Sequence, residues 1–336
     1  MNTEDNDMGT LGPRASAEFI MTKAKDVRID LDAARKLARH IHEATASNPY
    51  DLKAWKEAGL HPKEMSDATV EWIFVVDLLN FSFWSPTYQV EYEGQMHTGY
   101  WALCACLNRA LKDAVPITSA TFYASVSREK LKEVFRGHND SEIPLFDERL
   151  NILHQAGRKL LEQYGGKFSN CLLQCGNDVD KLLRLVTAEF PSFRDQAVFE
   201  GRQVSFYKRA QILVADLWAC FEGKSYGEFH NIDNVTCFAD YRVPQILAHF
   251  GVIIYSETLR KLLDSGALLQ NEQREVCEIR GATISACEKI RDVLQSEFRS
   301  PMNAILVDFY LWGYRRAHAK EVDATTPYHR VRCIYY

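Results

Sequence analysis

Apolar residues recur at three- and four-residue intervals along much of this chain, the spacing that places them on one face of a helix. One such run comprises Ala34, Leu37, Ala38 and Ile41, after a candidate helix cap at Asp30. Helices are predicted over residues 34–41, 66–79, 101–112, 150–164, 178–189, 206–220, 244–250, 256–264, 281–297 and 303–317. The pattern therefore indicates a mainly α fold class.

One stretch alternates with a period of two, which is typical of β-strands. Positions 90–92 and 96–100 alternate between apolar and polar residues on either side of Glu93-Gly94, a dipeptide suited to a tight turn. This pattern predicts a small β-hairpin. A second short strand is predicted at Val252–Tyr255.

The organisation of the chain follows from its composition and its short connections. Residues 1–14 are polar with glycine and proline, which predicts a mobile tail. Because the remaining connections are short, residues 15–336 are expected to form one compact body. Within it, an N-terminal subdomain over 15–140 and a C-terminal helical subdomain over 141–336 are an alternative division.

Net charge limits the partners that the protein can have. Forty Lys and Arg residues stand against 45 Asp and Glu residues, giving a formal charge of −5. A protein that wraps a nucleic-acid backbone needs a basic stripe, so direct nucleic-acid binding is not expected. The 18 Phe, 15 Tyr and 6 Trp residues either fill the core or form a pocket that stacks a flat ligand.

The nine cysteines lack the paired spacing of a zinc site, so no metal is predicted. Several lie in apolar helical runs, where cysteine behaves as a small hydrophobe. The sequence shows neither a cleavable signal peptide nor an apolar run long enough to span a membrane. A cytoplasmic protein with reduced thiols is therefore expected.

The segment Phe238-Ala239-Asp240-Tyr241-Arg242 places a carboxylate at a junction between a loop and a helix. Asp240 is either a turn or capping carboxylate or a group that acts chemically at the edge of an aromatic pocket. Glycosidic cleavage passes through an oxocarbenium-like state. A carboxylate beside the anomeric carbon stabilises that cation, attacks it or activates water.

A second unusual carboxylate is Asp308, on a predicted helix face with Ile305, Phe309 and Trp312. Because this face is otherwise apolar, Asp308 is expected to be buried, which requires a partner for its charge. One interpretation is a structural salt bridge. The other is a carboxylate that accepts N–H groups from a guanine-like ring.

The helix predicted at 206–220 opens with two cations, Lys208 and Arg209, after a candidate N-cap at Ser205. Cations are unfavourable at this end of the helix dipole, but with free N–H groups they suit a phosphate. A solvated basic turn is the alternative. Further along, Asp216 lies among apolar residues and is interpreted as a buried partner of an arginine, for example Arg209.

An aromatic segment runs from Trp72 to Ser85 and is followed by Gly99-Tyr100-Trp101. These rings form either the end of a core helix or a wall on which a base stacks. The histidines form no recognisable triad, and no nucleotide-binding glycine fingerprint is present. The residues alone thus indicate a mainly helical enzyme or binding protein with an aromatic, carboxylate-bearing pocket.

Several long motifs make the chain resemble the queuosine salvage proteins, the queuosine 5′-phosphate N-glycosylase/hydrolases. They are WxFVxDxxNFSFW from Trp72, GYWxLCAxxNRA from Gly99, PITSAxxYA from Pro116, FPSFRD from Phe190, VSFYKRAQILVAD from Val204, FADYRxPQxLAH from Phe238, EIRG from Glu278, LxDxYLW from Leu306 and HRVRCIYY from His329. The resemblance covers roughly residues 15–336.

The resemblance implies a body like that of helix-hairpin-helix DNA glycosylases. The implied reaction hydrolyses queuosine 5′-monophosphate to queuine and ribose 5-phosphate, with no metal or organic cofactor. By motif, Asp240 matches the catalytic aspartate and Lys208 a lysine close to the reacting centre. The motifs also imply substrate-binding roles for Phe238, Asp308, Phe309, Trp312, Trp101 and His61.

Two positions depart from the motifs of the family. Gly313 stands where some relatives carry an aspartate, so a contact from that position is missing here. The loop at 57–62 matches poorly, which affects the contact implied for His61. A broader purine nucleoside hydrolase and a non-catalytic queuine carrier stay open as alternatives, and a monomer is expected.

Overall fold

The computed structural model describes residues 9–46 and 52–336. Its helices, in chain order, are α1 (Pro13–Lys23), α2 (Leu31–Ala46), α3 (Lys53–Glu57), α4 (Asp67–Leu78), α5 (Tyr100–Lys112), α6 (Ala120–Tyr123), α7 (Arg128–Val134), α8 (Phe146–Gln163), α9 (Ser169–Cys175), α10 (Val179–Glu189), α11 (Lys208–Cys220), α12 (Val243–His249), α13 (Glu257–Asp264), α14 (Arg274–Phe298), α15 (Ala304–Ala317) and α16 (Ala319–Thr325). The mainly helical prediction is confirmed.

The strands form small two-stranded sheets. They are β1 (Val27–Ile29), β2 (Gln89–Tyr92), β3 (Gln95–Thr98), β4 (Gln196–Phe199), β5 (Arg202–Ser205), β6 (Ile253–Tyr255), β7 (Leu268–Leu269) and β8 (Arg330–Val331). The pairs β2–β3 and β4–β5 are antiparallel hairpins, β1 and β6 pair antiparallel, and β7 and β8 pair parallel. The predicted hairpin and the predicted strand near Val252–Tyr255 are both confirmed.

Both hairpins turn on a Glu-Gly dipeptide with left-handed backbone at both positions. Glu93 and Gly94 have φ values of 51° and 75°, and Glu200 and Gly201 have 49° and 75°. Two consecutive residues with positive φ are the requirement of a type I′ turn, whose twist matches that of the strands. The second hairpin carries the same signal as the first, yet it was missed because its short strands lie between longer helical patterns.

Residue contacts divide the chain into two compact units, each built from separate stretches of sequence. The first unit comprises residues 1–50, 195–211 and 235–332, and the second comprises 51–194, 212–234 and 333–336. Each unit has its own buried core and is described by itself below.

Helix α14 forms the centre of the first unit. It is buried along most of its length and packs against α1, α2, α12 and α15. Small residues let α1 approach closely, since a Cβ added at Gly281 would lie 2.7 Å from Cγ2 of Ile20. The site residues of this unit therefore rest on a rigid, densely packed helix.

The core of the second unit includes helix α4, which is capped by Ser66 and buries nearly every residue after its first turn. Its Phe74 ring stacks on Phe168 with centroids 4.2 Å apart. Helix α8 packs against α6 at Gly157, where an added Cβ would lie 2.7 Å from the backbone of Ala124. This core explains the apolar run read from the sequence at 70–78.

The predicted tail over residues 1–14 is wrong for its last residues. Helix α1 already begins at Pro13, a favourable first position for proline, and Leu11 bridges to Val204 of β5. Residues 1–8 lie outside the described part of the chain. In that described part, no helix combines the length and the apolar character that crossing a membrane requires.

Candidate active site

The first unit brings Asp308 and the segment around Asp240 together. Asn303 caps helix α15, its Oδ1 accepting the N–H of Leu306, and this fixes the helix that carries Asp308. Asp308 is only 4% exposed, as its apolar helix face predicted. Its Oδ2 accepts the backbone N–H of Phe238 at 2.8 Å.

No salt bridge involves Asp308 among the residues that the structure describes, so that interpretation of its burial is wrong. Burial instead raises the pKa of the Asp308 carboxyl well above its usual range, and the negative charge of Asp240 raises it further. The hydrogen bond from Phe238 and the positive charge of Lys208 oppose this rise. Asp308 therefore tends to keep its proton, which makes it able to donate as well as accept a hydrogen bond.

Asp240 lies half-buried at the start of helix α12. Its Oδ1 accepts the backbone N–H groups of Arg242 at 2.7 Å and Val243 at 2.8 Å. The turn interpretation is thus confirmed for one oxygen, because Arg242 occupies the N-cap of α12 without a side-chain cap. Oδ2 takes part in neither hydrogen bond, so the turn does not use the whole carboxylate.

Aromatic rings accompany the two carboxyl groups. The Phe238 ring, which is buried, lies 6.1 Å from the half-buried Phe309 ring at an angle of 53°. One turn further along α15, the half-buried Trp312 has the guanidinium of Arg316 over its ring at 5.0 Å. Gly313 is exposed, and a Cβ added there would meet nothing within 4 Å.

Lys208 is the first residue of helix α11, and its backbone N–H donates to Oδ2 of Asp195 at 3.0 Å. Lys208 and Arg209 are 5% and 1% exposed, so the solvated basic turn is wrong. The N-cap predicted at Ser205 is also wrong, because this residue ends strand β5 and its hydroxyl donates to the carbonyl of Leu11. The N–H of Lys208 is thus bonded by Asp195 and not by the predicted cap.

Two functional candidates in this unit were not recognised as such from the sequence, namely Asp195 and Arg280. They form a bidentate ion pair with N–O distances of 2.7 and 2.6 Å, and each is 1% exposed. A signal for them was present, since Arg280 lies in the apolar run of α14 and a buried cation requires a buried anion. Sequence alone did not identify the partner, which is 85 residues away.

The second unit holds His61 and Trp101, whose ring centroids are 4.9 Å apart. His61 is 8% exposed and stacks on Trp55 at 3.9 Å. Its Nδ1 lies 2.7 Å from the carbonyl of Trp55 and its Nε2 lies 2.8 Å from the hydroxyl of Tyr100. Both ring nitrogens therefore have protein partners. Any further contact of His61 would be made through the carbon atoms and faces of its ring.

Burial lowers the pKa of His61 to about 4, opposed by its hydrogen bond to Trp55 and aided by the charge of Lys63. The ring is therefore neutral at pH 7. Nearby, Asn108 ties the loop to α4, accepting the indole N–H of Trp72 and donating to the carbonyl of Leu60. The loop at 57–62, which matched the family motifs poorly, is thus held by specific hydrogen bonds.

The aromatic segment after α4 is also held rigidly within the second unit. Buried Arg149 donates to the carbonyls of Leu79 and Phe81, both at 2.6 Å, and its guanidinium lies 4.2 Å from the Phe81 ring centre. Ser82 adopts a φ of 50° and exchanges hydrogen bonds with Cys333. Asp216, which is 5% exposed, is buried as predicted.

Taken alone, the first unit supplies two carboxyl groups in different environments, a nearby cation and two neighbouring rings tilted against each other. Among the described residues, no group of three or more His, Cys, Asp and Glu side chains is arranged to hold a metal ion. A buried carboxyl group whose pKa is raised, next to a half-buried carboxylate with one oxygen outside its turn, suits work at a glycosidic bond. The class of protein thus indicated is a mainly helical one with a site suited to glycosidic cleavage.

Comparison with known proteins gives the family. A family model described as queuosine salvage protein matches residues 60–336. The chain therefore belongs to the queuosine salvage protein family, and the resemblance found in the sequence motifs is confirmed.

Relatives from distant organisms match nearly the whole chain. A Mus musculus protein named queuosine 5′-phosphate N-glycosylase/hydrolase is 44% identical over 337 residues, covering 97% of this chain and 99% of that protein. A Bos taurus protein of the same name is 42% identical over 340 residues, covering 98% and 99%. The protein of that name from the bacterium Sphaerobacter thermophilus is 39% identical over 328 residues, covering 97% and 98%.

Proposed function

We propose that this protein hydrolyses the N-glycosidic bond of queuosine 5′-monophosphate and releases queuine and ribose 5-phosphate for reuse in tRNA modification. The observation that carries the proposal is the nearly full-length match to relatives named for this activity. The pair of unlike carboxyl groups in the first unit is consistent with it.

The chemistry of the leaving group explains why two carboxyl groups are useful. Queuine is a 7-deazaguanine, so its ring has carbon where an ordinary purine has N7, and protonation at that nitrogen is unavailable. Catalysis must then depend on stabilising the sugar cation and on polar contacts to the edge of the base.

Asp240 is assigned to the sugar cation. Its Oδ1 is anchored by two backbone N–H groups, which hold the carboxylate in one orientation. A carboxylate held in this way costs little reorganisation when positive charge develops at the anomeric carbon. It then stabilises the cation, attacks it or directs water to it.

Asp308 is assigned to the edge of the base. Burial and the charge of Asp240 raise the pKa of its carboxyl, which favours the protonated form, and in that form Asp308 offers both a donor and an acceptor to a heterocycle. Phe238, whose backbone N–H bonds to Asp308, and Phe309, the next residue along α15, supply ring surface for stacking. Lys208, whose charge acts on Asp308, is assigned to orienting Asp240 or to meeting the phosphate.

Trp312, Trp101 and His61 are proposed as further substrate contacts. For His61 the contact would be made through the ring, because its nitrogens already bond to Trp55 and Tyr100. The proposal also includes a body similar to helix-hairpin-helix DNA glycosylases, a cytoplasmic location, a monomeric state and no direct binding of nucleic acid. The mainly helical fold and the net charge of −5 support the first and last of these.

Product analysis tests the function. The purified protein is incubated with queuosine 5′-monophosphate, queuosine and guanosine 5′-monophosphate, and free base and sugar phosphate are quantified by chromatography. The expected result is equimolar queuine and ribose 5-phosphate, with far less guanine released. Equal release of guanine would indicate a broader purine hydrolase, and queuine binding without ribose 5-phosphate release would indicate a carrier.

A further inference from the structure

The Asp195–Arg280 ion pair lies in the interior of the first unit. The guanidinium of Arg280 donates to Oδ1 of Asp195 at 2.7 Å and to Oδ2 at 2.6 Å. Both side chains are 1% exposed. A buried ion pair is weak grounds for stability, because the cost of removing two charges from water offsets their attraction. Its presence therefore calls for another explanation.

Arg280 reaches the backbone beside Asp240. Its third donor, Nε, bonds to the carbonyl of Ala239 at 2.8 Å. Ala239 directly precedes Asp240, so the carbonyl that Arg280 bonds belongs to the peptide group that joins these two residues. The position of this peptide is therefore set by Arg280.

Asp195 reaches the backbone at the second candidate residue. Its Oδ2 accepts the N–H of Lys208, the first residue of α11, at 3.0 Å. Its own carbonyl accepts the N–H of Phe206 at 3.0 Å, and the guanidinium of Arg280 lies 4.1 Å from the centre of the Phe206 ring. One ion pair thus contacts the backbone at both Ala239 and Lys208.

The imidazole of His329 lies within the electrostatic influence of the Arg280 charge. Burial, together with the positive charge of Arg280, lowers the pKa of His329 to about 3, so this imidazole is neutral at working pH. The Arg280 charge is consequently balanced by Asp195 and not shared with a protonated histidine. The guanidinium keeps a fixed orientation in which its planar fork faces the carboxylate.

We propose that Arg280 and Asp195 are positioning residues that align Asp240 with Lys208 at the reacting centre. This inference rests on the proposed function, since it assumes that Asp240 acts at the sugar. Misplacement of a reacting group by about 1 Å can cost about 10²-fold in rate. Because the Asp195–Arg280 pair bonds to the backbone at both Ala239 and Lys208, it prevents such a misplacement of Asp240 relative to Lys208.

The first test is Arg280→Lys, which keeps the charge but cannot form the fork to Asp195 and reach Ala239 together. With queuosine 5′-monophosphate as substrate, kcat is expected to fall by about 10- to 100-fold, while KM changes much less. A folded Arg280→Lys protein with wild-type kcat would overturn the proposal.

A double variant separates positioning from stability. Asp195→Leu with Arg280→Met replaces the ion pair by apolar side chains, an exchange that is often neutral or stabilising for the fold. Because the exchange also removes the partners that the pair gives to the Ala239 carbonyl and the Lys208 N–H, the proposal expects kcat to remain low even where the melting temperature recovers relative to the single variants. Recovery of both the melting temperature and kcat would show that the pair serves stability alone.

Glu278→Gln provides the matched control. Glu278 lies on the same helix, is fully buried, and accepts the backbone N–H groups of Lys25 and Asp26. This variant is expected to lower the melting temperature while leaving kcat unchanged. An equal loss of kcat here would mean that any damage to α14 affects turnover, and the proposal would be rejected.

Asp240→Asn, assayed in parallel, keeps the two hypotheses apart. If Asp240→Asn retains full turnover, the role proposed for Asp240 fails, and the positioning proposal fails with it. If Asp240→Asn is inactive while Arg280→Lys is fully active, only the positioning proposal fails. Loss of kcat in both variants, with unchanged kcat in Glu278→Gln, supports both.

Discussion

Asp308 and Asp240 are chemically the same residue placed in different surroundings. Asp308 is buried and bonded to a single N–H group, whereas Asp240 is half-buried and bonded to two. Burial and the neighbouring charge of Asp240 raise the pKa of Asp308, so its protonated form is favoured relative to that of an exposed aspartate. The division of roles proposed here follows from that difference in environment.

The raised pKa of Asp308 predicts a pH-dependent contribution to stability. The folded protein holds this proton above the ordinary value of 3.8, where the unfolded chain has already released it. The stabilising contribution is therefore full below pH 3.8 and is lost as pH rises through the folded-state pKa. Asp308→Asn removes this loss while keeping an acceptor for the Phe238 N–H.

The measurement is the melting temperature of both proteins at several values between pH 4 and pH 8. The melting temperature of Asp308→Asn is expected to rise relative to that of the wild type as pH increases. Parallel curves over this whole range would contradict a raised pKa at Asp308.

At the residue scale, the sequence predicted the burial of Asp308 correctly because a lone carboxylate interrupted an apolar helix face. It did not predict the partner, since the N–H of Phe238 comes from a segment 70 residues away. Asp195 and Arg280 were missed as functional candidates for the same reason. Periodicity reports which face of an element is buried, but it contains no information on which distant group meets that face.

At the element scale, the ten predicted helices and the first hairpin followed from local patterns that the structure confirms, whereas α1 and the short helices α3, α6, α7, α9 and α16 were not predicted. Helix α1 was missed because the polar composition of its flanking residues resembled a tail, and because the neighbours that order it come from residues far along the chain. Ser205 has the right chemistry for a cap, yet pairing within the β4–β5 hairpin places it in a strand. Tertiary pairing overrode the local signal in both cases.

The close packing of α1 on α14 makes Gly281 a sensitive position. A Cβ added there would lie 2.7 Å from Cγ2 of Ile20, which is fully buried and has no room to move away. Gly281→Ala is expected to reduce the free energy of unfolding by about 1–3 kcal/mol through overpacking. This loss is measured by urea denaturation. The slope of the unfolding free energy against urea concentration is expected to be the same in both proteins.

Gly313→Ala is the control, because an added Cβ at this exposed position of α15 would meet nothing within 4 Å. It is expected to raise the free energy of unfolding by up to about 1 kcal/mol, since alanine is the better helix former. Equal effects of the two substitutions would show that the contact between α1 and α14 is not as close as described.

At the scale of the whole molecule, the proposed mechanism assigns no step to a metal ion. The described residues contain no cluster of metal-binding side chains, and the proposed mechanism uses only carboxyl groups, a lysine and aromatic rings. Turnover is therefore expected to be unchanged after dialysis against EDTA. Activity that is lost on chelation and restored by a divalent cation would contradict this mechanism.

The central claim is that the Asp240 carboxylate acts on the sugar during cleavage. Asp240→Asn is the sharpest variant, because the Oδ1 of asparagine can accept the same backbone N–H groups of Arg242 and Val243 and so preserves the turn before α12. Turnover of queuosine 5′-monophosphate is measured together with queuine affinity by calorimetry. We predict that kcat falls by about 10²- to 10³-fold while queuine affinity is retained. Unchanged turnover in a folded Asp240→Asn protein would contradict the account.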